Sequence, residues 1–181
     1  MRFRPILYAL AALAASPALG ATADQLRCAD DKLSDQQRAG IAALFAEQHA
    51  DPKDRFEAPK GTASAAYDMT YALASCANQF GWTRAKQDAA STYLIRLGKL
   101  SRVRIGHVPA WNDALERFAP FGVRVLGSGD KIEDHARQMV VAGAVANGGG
   151  AVTADHGDDV IAYLKAWQDL EAARAIFARA P

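Results

Sequence analysis

The sequence predicts an all-α fold, a compact bundle of about five to six helices. Three observations carry that prediction. Apolar residues recur at intervals of three and four along most of the chain, the spacing of one helix face. The periodic segments are punctuated by capping residues before them and by glycine or proline after them. Only two short stretches, RVRIG (102–106) and GVRVLG (122–127), alternate apolar and basic residues as half-buried strands do. These two could pair as a minimal two-stranded ribbon, and otherwise they read as extended loops.

The chain opens with Arg2 and Arg4, an apolar run over residues 6–15, and then the small residues Ser16, Ala18 and Gly20 around Pro17. That order is the pattern of a secretory leader. Ten apolar residues fall short of the roughly 20 needed to cross a bilayer core, and no later segment is long and apolar enough, so no membrane span is expected. Residues 1–20 are therefore read as a cleaved leader, residues 21–181 as one helical domain, and the destination as periplasmic or secreted. Arg27 beside Cys28 argues against a lipoprotein anchor.

Within the domain, Ser34 with Gln37 forms a capping-box pair, followed by a helix with Ile41, Leu44 and Phe45 on one face and His49 near its end. Residues 50–61 hold Pro52, Pro59 and Gly61 among charges, the composition of a surface connection. A second helix over residues 62–80 places Met69, Leu73, Cys76 and Phe80 on a single face. Gly81 suits the left-handed position after it, with Trp82 folding back. Thr83 caps a third helix striped by Ala90, Tyr93, Leu94, Leu97 and Leu100. Pro109 opens a fourth, with Trp111, Ala114, Leu115 and Phe118, ending at Pro120. Asp130 and Glu133 cap a fifth, where Ile132, Ala136, Met139 and Gly143 share a face and the apolar MVVAGAVA predicts a central position. The last helix starts near Gly157 with a stripe of Val160, Tyr163, Trp167, Leu170, Ala173 and Phe177. Lys165, Asp169 and Arg174 lie opposite.

Two cysteines, Cys28 and Cys76, in an exported chain predict one disulfide. It would pin an otherwise unattached polar N-terminal segment to the core. No C-x-x-C or C-x-x-C-H is present, so redox and haem-attachment motifs are lacking, and no cofactor is expected.

The stretch NGGGAVTADHGDD (147–159) has the composition of a site, with His156 among Asp155, Asp158 and Asp159. Helix chemistry accounts for it. Asn147 and the glycines tolerate the backbone of a helix C-terminus. Thr153 or Asp155 accepts from free N–H groups, and Asp158 and Asp159 lie where the next helix's dipole favours negative charge. The acids lack the alternation of a calcium loop, and no metal site is expected. His135, His49 and His107 read as a boundary residue, a helix end and a turn. No G-x-S-x-G, Walker loop, dinucleotide fingerprint or H-E-x-x-H occurs.

Overall charge is balanced, with 21 Lys and Arg against 20 Asp and Glu. Residues 82–125 are locally basic, and RLGKLSRVRIGH within them carries Arg96, Lys99, Arg102, Arg104 and His107. Without a stronger overall excess or a reading motif, nucleic acid is excluded. The cluster is instead a candidate surface for an anionic protein, a lipid head group or a glycan. The expectation is an exported, soluble, non-catalytic binding or interaction protein. One alternative is a hydrolase using His156 or His135 with neighbouring acids. Another is a bundle holding an apolar ligand between Trp82, Trp111 and Trp167.

Overall fold

A computed structural model describes residues 17–48, 62–127 and 132–181. Among the described residues there are seven α-helices and no strand. They are α1 (Pro17–Asp31), α2 (Asp35–Gln48), α3 (Thr62–Phe80), α4 (Arg84–Ile105), α5 (Pro109–Leu126), α6 (Asp134–Asn147) and α7 (Gly157–Arg179). A single 3-10 turn, Ala154–His156, precedes α7. The all-α class is thus as the apolar periodicity predicted. His49 and the connection 50–61 lie outside the described residues.

Helix α4 is the spine, packed against α2 on one side and α7 on the other. Its stripe of Ala90, Tyr93, Leu94 and Leu100 is buried, and Gly98 brings α2 unusually near. A Cβ added at Gly98 would stand 2.3 Å from the Arg38 carbonyl oxygen and 3.0 Å from Ala42. The caps read from sequence at Ser34 and Thr83, and the stop at Gly81, are formed. Gln37 N–H donates to Ser34 Oγ at 3.2 Å while Ser34 N–H donates to Gln37 Oε1 at 2.8 Å. Lys86 N–H donates to Thr83 Oγ1 at 3.2 Å. Gly81 has φ +63°, and Trp82 N–H returns to the Ala77 carbonyl at 3.0 Å.

The polar N-terminal segment is itself a helix, which corrects the reading of it as unattached. Leu26, Ala29 and Leu33 are buried at helical spacing, and α1 lies on α3. Cys28 and Cys76 stand at disulfide distance with Cα atoms 6.1 Å apart, inside the usual range of about 4.4–6.8 Å. Two residues on, Asp30 accepts from the Tyr93 hydroxyl at 2.8 Å. Burial raises the Asp30 carboxyl above its ordinary value, against the opposing Tyr93 hydrogen bond and the nearby Arg38 and Arg174.

Three further expectations are corrected. No ribbon forms, because 102–105 completes α4, with Gly106 as its C-cap, and 122–126 completes α5, with Gly127 as its C-cap. The helix does not end at Pro120 either. The buried series Trp111, Ala114, Leu115, Phe118, Ala119, Gly122 and Leu126 keeps its helical period across the proline. A mid-helix proline costs about 3 kcal/mol, and burying the turn that carries Gly122 and Leu126 offsets it. Gly122 meets α7 so closely that an added Cβ would be 2.9 Å from Leu164 Cδ1. Finally, α6 is peripheral. Its buried residues are Val140 and Ala144, with Gly143 under the Phe118 ring, while Met139 is 50% exposed. The N-cap is Glu133, whose side chain makes no capping bond; Asp130 lies outside the described residues.

Candidate functional site

The stretch 147–159 turns the chain from α6 back along itself. Gly149 (φ +57°) and Gly150 (φ +85°) adopt left-handed backbone, the conformation in which a Cβ is penalised. Thr153 and His156 then form a capping box: the Thr153 side chain accepts from His156 N–H, and Thr153 N–H donates to His156 Nδ1 at 3.2 Å. Asp158 and Asp159 occupy the first turn of α7, as helix electrostatics predicts.

An aromatic cluster holds this turn in place from the inside. The His107 ring stacks on Trp111 with centroids 3.7 Å apart, and His156 presents its edge to both, 5.6 Å from His107 and 6.3 Å from Trp111. Tyr163 closes the other side of Trp111 at 5.6 Å. His107 Nε2 lies 3.4 Å from Asp159 Oδ2, which ties the end of α4 to the start of α7. Trp111 and Tyr163 are fully buried. Burial pushes the Tyr163 phenol up to about 12.

On the outer side of the same turn, a groove of about 850 Å³ separates α6 from the start of α7. Its α6 wall is the stripe Asp134, Arg137, Gln138, Val141, Ala142, Val145 and Ala146; Ala154, Asp155, Gly157 and Asp158 face it. The floor is apolar: a Cβ placed on Gly157 would stand 3.7 Å from a Val141 methyl. Arg137 pairs with Asp158 across the groove. Asp134 and Asp155 are exposed and have no cationic partner among the described residues. A smaller concavity of about 530 Å³ lies between the start of α4 and the end of α7, with Asp88 and Arg179 on its rim.

The candidate residues read from sequence distribute as follows. Arg96 pairs with Asp169 at 3.0 Å and Arg104 with Glu116 at 3.6 Å, and His107 is engaged by Trp111 and Asp159. Lys99 and Arg102 are exposed. At 3.6 residues per turn, Arg96, Lys99, Arg102 and Arg104 spread over roughly 200° of the helix, so they do not form one face. Trp82 packs with Phe80 and Phe177, apart from the Trp111 cluster, and no tryptophan lines either concavity. His156 commits Nδ1 to the cap, and its neighbour Asp155 lies on the groove rim. His135 is exposed on α6. Among the described residues, no three His, Cys, Asp or Glu side chains are grouped to hold a metal, and no helix is long and apolar enough to cross a membrane.

The groove itself escaped sequence reading. Its signal was present in MVVAGAVA, too apolar for a helix that buries only Val140 and Ala144. No protein-family model, curated protein or solved structure matches the chain.

Proposed function

We propose that this protein is an exported, non-catalytic binding protein whose ligand lies in the groove between α6 and the start of α7. The observation that carries the proposal is the groove's composition: an apolar floor of Val141, Ala142, Val145 and Ala154 under a rim of Asp134, Arg137, Asp155 and Asp158. Its volume falls within the roughly 300–1,000 Å³ typical of small-ligand sites, which likewise combine apolar walls with a few polar groups. The wall is also held from behind, since the capping box, the stacked His107–Trp111 pair and Asp159 all fix the turn that forms it. A held wall lowers the ordering cost of binding.

Export rests on the leader-like order of residues 1–20 and agrees with the Cys28–Cys76 pair, which suits an oxidising compartment. Leu26 is the first buried residue described in α1, so cleavage after Gly20 would leave the described packing in place.

The test is native mass spectrometry of the protein isolated from its host. A bound mass of small-molecule size is expected on the wild type, and its N-terminus should begin near Ala21. The exposed, groove-lining Ala142 is the place to block: A142W should lose the bound mass with an unchanged melting temperature. A bound mass that A142W retains would overturn the assignment of the groove.

A further inference from the structure

The chemical class of the ligand can be taken further, on the premise that the groove is the binding site. Among the described residues, three carboxylates line the groove, those of Asp134, Asp155 and Asp158, against one guanidinium, that of Arg137. Arg137 is already engaged by Asp158. Two helix N-termini also open onto it, at Asp134 and Gly157. Each contributes roughly half a positive charge. The balance leaves about one negative charge beside an apolar floor.

The shape constrains the ligand as well. The α6 wall runs from Asp134 to Ala146, about 18 Å at 1.5 Å per residue. Charge is concentrated at the Asp134–Arg137 end and along the opposite rim, while Val141, Ala142, Val145 and Ala146 form an uninterrupted apolar length. Ala142 and Ala146 are one turn apart and exposed, so a slender chain can lie against the helix surface. Among the described residues, no aromatic ring lines the groove to stack on a flat ligand. We infer that the groove takes an elongated amphiphile with a single cationic head, its aliphatic chain along Val141–Ala146 and its ammonium group among the rim carboxylates. An anionic head group, the expectation raised by the basic stretch 96–107, is disfavoured here by the same carboxylates.

The experiment compares two probes with equal aliphatic chains and opposite heads, decyltrimethylammonium and decanoate, at pH 7 and low salt, by isothermal titration. The wild type should bind the cation at least tenfold more tightly than the anion. At about 4 Å in near-aqueous surroundings one carboxylate is worth roughly a fivefold change, so the double variant D134N/D155N should weaken the cation at least severalfold and leave decanoate unchanged or improved. Raising the salt should erode the preference. A142W should abolish binding of the cation, and A146W serves as a second block should A142W fold poorly. Equal affinity for both probes, with both lost in A142W, would overturn the cationic assignment while leaving the groove as the binding site. Tighter binding of decanoate, or no binding of decyltrimethylammonium to the wild type, also overturns it; the host-isolated mass then judges the groove separately.

Discussion

Replacing Gly98 by alanine sets two effects of opposite sign against each other. In the middle of α4, alanine is favoured over glycine by about 1 kcal/mol through backbone entropy alone. The structure opposes it. The new Cβ would lie 2.3 Å from the Arg38 carbonyl oxygen and 3.0 Å from both the Ala42 backbone nitrogen and its Cβ. Carbon–oxygen contacts settle near 3.3–3.6 Å, so α2 must retreat by roughly 1 Å. Two of these three neighbours are backbone atoms, which no rotamer change can move. A gap of 0.5–1 Å forfeits a quarter to a half of each dispersion contact, along the helix pair that holds the spine. Overpacking of this kind costs about 1–3 kcal/mol, and rigid backbone neighbours place Gly98 at the upper end. The net expectation is a loss of about 2 kcal/mol, a fall of roughly 4–8 °C in melting temperature for a domain of this size. Thermal and urea unfolding followed by circular dichroism measure it. G106A is the control, since a Cβ there meets only the Val103 carbonyl oxygen at 3.6 Å; it should be neutral or stabilising. A G98A protein as stable as the wild type would refute the close crossing of α2 and α4.

Cys28→Ser or Cys76→Ser should each cost on the order of 4 kcal/mol for a loop of 48 positions, and the double variant about the same as either single one; two reactive thiols per chain in the unfolded, unreduced protein would contradict the pairing. Asp30 has a carboxyl raised by burial, so the fold favours its protonated form. That contribution is fully present below the unfolded value near 4 and is lost as pH rises through the folded one. The wild type should therefore gain stability relative to D30N as pH falls from 7 towards 4; a difference independent of pH would show Asp30 to be solvated. The Tyr163 hydroxyl is buried and has no hydrogen-bond partner among the described residues. Y163F should accordingly be neutral or stabilising by up to about 1 kcal/mol, since it removes a polar group left unmatched; a loss above about 2 kcal/mol in urea unfolding would reveal a hydrogen bond at that oxygen.

Local signals were legible wherever a single side chain determines the outcome. Ser34, Gln37, Thr83, Gly81 and the first-turn acids of α7 all stand where capping chemistry puts them, because capping depends on residues only a few positions apart. The cysteine pairing was readable because two thiols leave one partition. Reading failed where tertiary contact overrides a local pattern. RVRIG and GVRVLG alternate, but Ser101 and Leu126 are buried and continue the stripes of α4 and α5, so the helical register wins over the two-residue alternation. Pro120 is a breaker in isolation and is carried by packing on both sides. The placement of α6 was missed because its apolar richness reads as burial, when part of it faces an open groove. His107 and His156 are far apart in sequence and looked unrelated. His107 meets Trp111 locally, four residues on, and the return of the chain at Gly149 and Gly150 brings His156 against the pair.

The most direct test of the groove is an amide-resolved NMR titration of the wild-type domain with decyltrimethylammonium. Chemical-shift changes should be confined to residues 134–146 and 154–158, saturate with one equivalent bound, and vanish in A142W. Shifts centred instead on Lys99–Arg104, or on Trp82 and Trp111, would contradict the account and move the binding surface to the basic stretch or to the bundle interior.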